Sequence, residues 1–473
     1  MFRITLALAL LLFATTAARP APAAEGLPSQ VRAVFQHQRI DGSGVSIFVQ
    51  GVADEEPLLA YHADHLRSPA SVVKLLTSFA ALDLLGPAYR WETEVYVTGP
   101  VRNGRLEGDL VLRGGGDPGL STERFWTLLR EIRARGIEQI AGDLVIDDTL
   151  FEANGERPGD FDRQPYRAYN VLPSALLVNS NAVEFRVMRD ERGVTVYMDP
   201  PLHGFRVDNR IGSRTGPCTG FQRGVAFDLP GGFEGRQAVL SGSFPTGCQE
   251  LSLWRSVLPA PQFADALFRA LWQQLGGRID GGLRVDPVPE GARKLLAFRS
   301  LPLAEILRPV NKWSNNPMTR HLLLTVGLEH AGPPATAANG RAAIDAWAEA
   351  RGFATPGFFI DNGSGLSRNT RVTAAGLGRM LRYAWQHPQM ADLVSSLPIS
   401  AYDGTLRNRY DGDKAGRMYL KTGRLDDVAA IAGIVQARNG ERFVVVVISN
   451  EEGAHRGSGQ AVQDAVLRWV FER

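Results

Sequence analysis

Ser71 and Lys74 stand three residues apart in Ser71-Val72-Val73-Lys74. On a helix that spacing puts a hydroxyl and an amine on one face. A serine hydroxyl is a weak nucleophile until a neighbouring base takes its proton. A desolvated lysine can be neutral and serve as that base; an arginine stays protonated. Alone, such a pair is often just a serine at a helix start beside an exposed lysine. Two later segments add weight. Ser314-Asn315-Asn316 lies between two helical stretches, and Lys421-Thr422-Gly423 follows Met418-Tyr419-Leu420, which reads as a strand entering a site. The chain has only five lysines (Lys74, Lys294, Lys312, Lys414, Lys421) against 47 arginines, and three of the five lie in or beside these segments.

The elements that must position these groups follow from pattern. Ser71 to Leu85 carries apolar residues at helical spacing, with Pro69 before it and Gly86 after it. Ser71 would then sit in the first turn, where free N–H groups favour developing negative charge. Further helices are expected at Phe263–Leu275, Leu303–Leu307, Thr319–Leu328, Ala337–Ala350, Thr373–Trp385 and Gln460–Phe471. Strands are expected at Val45–Val52, Ala429–Val435 and Phe443–Ile448, the last two as buried neighbours in an antiparallel sheet. Between about 93 and 295 short strand-like runs alternate with Gly- and Pro-rich turns, and GRLEGDLVL (104–112) is loosely echoed by QIAGDLVI (139–146). The expected fold class is therefore α+β: 24–92 and 296–473 as one domain built from both ends of the chain, and 93–295 as a β-rich insertion with a further subdomain near 183–248.

Residues 1–23 read as a secretory signal: Arg3, an apolar run from Ile4 to Ala14, and Ala21-Pro22-Ala23 as a cleavage site. The expected location is the periplasm. Removing that segment takes away Arg3 and Arg19 and leaves basic and acidic residues equal in number. A neutral chain is a poor candidate for a dedicated nucleic-acid binder, so no nucleic-acid partner is expected. Cys218 and Cys248 are a lone pair suited to a disulfide in an oxidising compartment. No metal is expected, because His62 and His65 imitate a ligand pair without a third partner. The turn Gly114-Gly115-Gly116-Asp117-Pro118-Gly119 formally fits a nucleotide fingerprint, but Pro118 removes a donor where phosphate would need one; a tight turn is the better reading, and no cofactor is expected. Ser364, in Asp361-Asn362-Gly363-Ser364-Gly365, belongs to a turn near the cleft that also has the option of touching substrate. The amphipathic C-terminal helix (Val462, Val466, Trp469, Val470) suits core packing, with peripheral membrane association as the alternative.

The order S-x-x-K, S-x-N, K-T-G is the three-part signature of penicillin-interacting serine enzymes. With SPASVVKLLT (68–77), GDLVLRGGGDPGL (108–120), SALLVNSN (174–181), DNGSGLSR (361–368) and LKTGRLDDVAAIAG (420–433), the chain resembles the D-alanyl-D-alanine carboxypeptidase/endopeptidase family, the class C low-molecular-mass penicillin-binding proteins, over nearly its whole mature length. The long gap between Ser71 and Ser314 matches that family's inserted region. The resemblance implies a penicillin-binding, serine β-lactamase-like catalytic domain and a serine DD-peptidase acting on peptidoglycan stem peptides, with β-lactams as inhibitors.

It also implies roles. Ser71 attacks the D-alanyl carbonyl and Lys74 takes its proton. Ser314, bridging Lys74 and Lys421, relays a proton to the leaving amine. Asn316 holds the acyl-side amide, Lys421 supplies positive potential, and Thr422 binds the terminal carboxylate. Gly423 lets substrate backbone lie close to the strand. The N–H groups of Ser71 and Arg424 form the oxyanion hole. Three positions depart from the family: Arg424 stands where Ser or Thr is frequent, Arg320 where an acid is usual, and Asn315 where Asp is commoner. Two alternatives are a β-lactamase or esterase on the same domain, told apart by penicillin turnover, and a catalytically silent wall-binding protein, told apart by penicillin acylation of Ser71.

Overall fold

The computed structural model describes residues 26–473 apart from Ala153 and Arg192; the expected signal segment, 1–23, lies outside them. Strands from both ends of the chain form one five-stranded antiparallel sheet. Its order is Met418–Leu425, Val428–Gln436, Arg442–Asn450, Val45–Gly51, Leu59–Tyr61. Runs such as Phe443–Ile448 are continuously apolar because both faces are covered. Alternate residues point to opposite sides of a strand. Val445 and Val447 pack with helices Ser29–Gln38 and Ser458–Phe471, whose Val31, Phe35, Val462, Val466 and Val470 are buried there. Val444, Val446 and Ile448 face the opposite core, with helices Lys74–Leu85, Leu303–Lys312, Asn316–Ala331, Ala337–Ala350 and Ala374–Gln386. Each fully buried aliphatic side chain contributes about 1.5–3 kcal/mol, so the edge strand and the helix carrying Lys74 stand on a rigid base. The apolar stripe of the C-terminal helix is core.

The segment Glu92 to Arg299 leaves this body and returns to it through adjacent strands, Glu92–Val97 pairing antiparallel with Arg293–Arg299. The two echoed segments turn out to be partners. Leu110–Arg113 and Leu144–Asp147 pair in parallel, Leu110 opposite Leu144 and Val111 opposite Val145, with helix Thr122–Ala134 between them in the chain. Beyond them lie two three-stranded sheets, one of Val183–Asp190, Gly193–Asp199 and Glu250–Arg255, the other of Arg206–Arg214, Val225–Asp228 and Gln237–Pro245. A Cys218–Cys248 disulfide joins the chain flanking the second.

The glycine turn is filled by protein rather than open to a phosphate. A Cβ on Gly115 would lie 1.9 Å from the Glu92 carbonyl oxygen, on Gly114 2.2 Å from the Ala175 backbone, and on Gly116 2.7 Å from the Phe151 ring. Close approach of three neighbours explains the three glycines.

One expected helix begins differently. Ala70–Val73 is a 3-10 turn, and the α-helix runs from Lys74 to Leu85. Ala70 has φ +45°, a left-handed conformation costly for a residue with a Cβ. The chain enters the helix through a sharp bend, and the apolar spacing continues across it. Helices Ser29–Gln38 and Met390–Ser396 and strand Arg206–Arg214 add to the elements read from sequence.

Candidate active site

Lys74 and Lys421 are both fully buried, yet both reach a cleft where Ser71 is partly exposed. The 3-10 turn places Ser71 one turn before Lys74, with Nζ 3.2 Å from the Ser71 Oγ. Lys74 also donates to the Asn316 Oδ1 at 2.7 Å and to the Ser364 carbonyl. Its pKa is held well below the ordinary lysine value, chiefly because burial strips its hydration and further because of the neighbouring Lys421 charge. Lys421 donates to the Ser314 Oγ at 2.9 Å and to the Thr422 carbonyl at 2.8 Å. Burial lowers its pKa to about 7.

Ser314 and Asn316 come from the junction of two helices. The first ends at Lys312; Ser314 then takes φ +58°, and the second starts at Asn316. Asn315 caps the second helix, its side chain accepting from the Met318 N–H at 3.0 Å. That explains the middle residue of the motif, since Asn and Asp serve equally well as N-caps. Asn316 is 7 % exposed and uses both ends of its amide, accepting from Lys74 and donating to the Tyr169 carbonyl at 3.1 Å. Ser314 bonds Lys421 and makes no hydrogen bond to Lys74 among the described residues, so the expected bridge between the two lysines is only half formed.

Lys421, Thr422 and Gly423 lie on the sheet's edge strand. The Leu420 N–H donates outward to the Pro398 carbonyl at 3.0 Å. Peptide groups alternate along a strand, so the N–H groups of Thr422 and Arg424 face the same outer edge. The Thr422 hydroxyl meets that of Thr405 at 2.8 Å, and the Arg424 side chain is exposed. Gly423 is also required by the fold itself. A Cβ there would lie 2.6 Å from the Pro69 carbonyl oxygen and 3.0 Å from the Ser71 nitrogen. Its glycine lets the strand press against the serine's own turn, with the Ser71 nitrogen close to the strand.

The loop DNGSGLSR forms the other wall. Ser364 is fully buried, its hydroxyl donating to the Asn362 Oδ1 at 2.8 Å, which removes it from contact with substrate. Its backbone carbonyl holds Lys74 instead. A Cβ on Gly365 would lie 2.0 Å from the Ala70 carbonyl oxygen. Sequence reading missed the carbonyls of Ser364 and Tyr169 and the Thr405 hydroxyl; a carbonyl carries no signature in residue type, although DNGSGLSR itself stood out. Arg320 pairs with Glu156 of the inserted region, so its charge is answered by an acid. Lys312 is an anchor, donating to the Leu397 carbonyl at 2.8 Å and pairing with Asp403. His62 and His65 stack with centroids 4.9 Å apart, and no metal-holding group of three His, Cys, Asp or Glu occurs among the described residues.

A hydroxyl beside a desolvated amine, two backbone N–H groups at one strand edge and a second buried lysine make an arrangement for acyl transfer through serine. Known proteins agree with that class. The sequence model of the D-Ala-D-Ala carboxypeptidase 3 (S13) family matches residues 27–472. A D-alanyl-D-alanine carboxypeptidase from Actinomadura sp. (strain R39) is 31% identical over 464 residues, covering 93% of this chain and 83% of that protein. The D-alanyl-D-alanine carboxypeptidase DacB of Haemophilus influenzae is 23% identical, covering 87% and 86%. The crystal structure of penicillin binding protein 4 from Haemophilus influenzae superposes with a TM-score of 0.76 at 21% identity, covering 94% of this chain and 99% of that one. The chain belongs to the D-Ala-D-Ala carboxypeptidase 3 (S13) family. It is a serine-type DD-peptidase with an α+β, penicillin-binding-protein fold.

Proposed function

We propose that the chain cleaves D-alanyl bonds of peptidoglycan stem peptides and their cross-links through an acyl-enzyme on Ser71. The observation that carries this reading is the buried Lys74 amine 3.2 Å from the Ser71 Oγ. A neutral amine has two N–H donors and one lone pair. The Asn316 Oδ1 and the Ser364 carbonyl oxygen accept from the two donors. The lone pair is left for the Ser71 hydroxyl proton, so the site orients the base before substrate arrives.

Ser71 attacks the carbonyl carbon of the penultimate D-alanine, and its proton passes to Lys74. The oxyanion lies between the N–H groups of Ser71 and Arg424. Ser314 passes its hydroxyl proton to the leaving amine and is resupplied with the proton that Lys74 took, by way of Lys421, to which it is hydrogen-bonded, so Lys74 is neutral again when water attacks. The charged form of Lys421 and the Thr422 hydroxyl receive the terminal carboxylate, and Asn316 turns its amide to the acyl-side peptide. Water then releases the acyl group. A β-lactam presents its carbonyl to the same groups and leaves Ser71 acylated. The working place is the periplasm, with the segment 1–23 removed near Ala23; the disulfide suits an oxidising compartment. The domain division 24–92 with 296–473, interrupted by 93–295, belongs to the same reading.

The test is chromatography with mass analysis of pentapeptide monomers and cross-linked dimers after incubation with the mature protein. Ser71→Ala runs alongside. Loss of terminal D-alanine, or dimers converted to monomers, only with unmutated protein supports the reading. Intact substrates with folded, unmutated protein overturn it.

A further inference from the structure

The loop DNGSGLSR meets the helix of Lys74 with its backbone. The Ser364 carbonyl accepts from Lys74, and the Gly363 carbonyl accepts from the Thr77 hydroxyl at 2.8 Å, about one turn further along that helix. Gly363 and Gly365 flank Ser364 with φ +72° and +79°. Glycines leave such a chain many other conformations, so something else must hold the Ser364 carbonyl where it stands.

The Asn362 side chain does so. Its Oδ1 accepts from the Ser364 N–H at 3.0 Å and from the Ser364 hydroxyl at 2.8 Å. Its Nδ2 donates to the Leu366 carbonyl at 2.9 Å, and the Leu366 N–H donates to the Ser364 Oγ at 3.3 Å. One amide thus grips the chain on both sides of the carbonyl that faces Lys74. The preceding residue is tied down as well. Its carbonyl accepts from Arg341 at 3.1 Å, and the Asp361 carboxylate accepts from the Ser367 hydroxyl at 2.6 Å. Asn362 itself borders a separate cavity of about 440 Å³, with Glu156, Arg320 and Arg341, whose lining includes none of Ser71, Lys74, Ser314, Asn316 and Lys421.

We propose that Asn362 is a positioning residue for the base: through Ser364 it holds the carbonyl that turns the Lys74 lone pair towards Ser71. The inference rests on the reading of Lys74 as that base. An amine that loses one of its two acceptors is held by Asn316 alone, and its lone pair then faces Ser71 only part of the time. The carbonyl also favours the ammonium form, because a charged donor bonds it more strongly. The other groups facing Lys74 are the neutral Asn316 amide and Lys421 on the edge strand; no carboxylate is hydrogen-bonded to Lys74 among the described residues.

The test follows the rate of Ser71 acylation by penicillin against pH, read by intact-protein mass, in unmutated protein, Asn362→Ala and Asn362→Asp. Lys74→Met is the control. Asn362→Ala should slow acylation at the optimum roughly ten- to a hundredfold and move the acid limb to lower pH. Asn362→Asp keeps both acceptor bonds from Ser364 and adds a negative charge. It should recover most of the rate at high pH and move the acid limb to higher pH. A merely structural role would lower the rate and leave the limb in place. An unmoved limb in either variant therefore overturns the proposal. If Asn362→Ala does not fold, Asn362→Asp decides by its limb alone. Normal acylation of Lys74→Met removes Lys74 as the base, and the inference with it. If penicillin does not acylate the unmutated protein, the Lys74 Nζ titration decides, followed by NMR. A pKa lower in Asn362→Ala and higher in Asn362→Asp supports the proposal, and identical titrations overturn it.

Discussion

Around Ser71 two amines are fully buried, and no carboxylate is hydrogen-bonded to either among the described residues. In the inserted region, Lys294 is half exposed and paired with Glu94, and Arg113, Arg186 and Arg284 likewise meet acids near solvent. Exposed pairs of the second kind contribute under about 1 kcal/mol each. The buried amines do the reverse: desolvation disfavours their charge and lowers both pKa values. The body therefore accepts an unfavourable burial where chemistry needs it, within a sheet covered on both faces. The far end of the insertion has no such cover, since strand Arg206–Arg214 has no buried residue and the Cys218–Cys248 bond holds its neighbourhood.

Substitutions in the body should strike turnover, and those at the far end of the insertion should strike local stability. The largest effect belongs to Ser71→Ala, expected to lower hydrolysis on the order of 10⁴-fold or more and to abolish penicillin labelling, read by intact-protein mass. Labelling retained at another residue would remove Ser71 as nucleophile. Gly423→Ala comes next. Its Cβ would press on the Pro69 carbonyl and the Ser71 nitrogen, and a displacement of that order costs about 10²-fold in kcat. Near-normal kcat would mean that strand and turn move apart freely.

The third prediction concerns pH. Lys421, with a pKa of about 7, loses its charge as pH rises through neutrality. If that charge holds the substrate carboxylate, KM should rise above pH 7. Lys421→Arg keeps its charge, so it should remove the rise while lowering the maximal rate through altered geometry. A rise persisting in Lys421→Arg would point to another group. The folded-state pKa lies below the unfolded one, so the unfolded chain binds more protons between about pH 7 and 10. Stability should then increase with pH across that window, and less so in Lys421→Met.

The smallest effect on turnover is expected from Cys218→Ser combined with Cys248→Ser. Opening a loop of sequence separation 30 should cost the subdomain roughly 3–4 kcal/mol, seen as faster hydrogen exchange in 206–245. Hydrolysis of free pentapeptide should change less than about twofold. A large loss of turnover would join the two regions that the comparison separates.

What was legible in the sequence follows the same division. Ser71, Lys74, Ser314, Asn316 and Lys421 could be read because their chemistry resides in side chains at fixed spacings. Buried strands such as Phe443–Ile448 could be read because a covered sheet demands continuous apolar runs. The Ser364 and Tyr169 carbonyls could not, since every residue has one. The close approach of Gly423 to the Ser71 turn could not be read either, because it shows only once that turn is placed against the strand. Arg206–Arg214 left little pattern, since Val207 and Ile211 are its two large apolar residues and both are only partly buried. The bend at Ala70 was hidden by helical spacing that runs through it.

The claim on which the rest depends is that the cleft holds two lysines with depressed pKa values, Lys74 being neutral when Ser71 attacks. Five lysines give five side-chain nitrogen resonances, few enough to follow one by one by NMR in protein labelled at the lysine ¹⁵Nζ. Lys74→Met and Lys421→Met assign the two that matter. The account predicts that both titrate below the ordinary lysine range, Lys421 near 7 and Lys74 well under its usual value. If all five titrated together near 10, Lys74 would be charged at neutral pH and could not take the Ser71 proton.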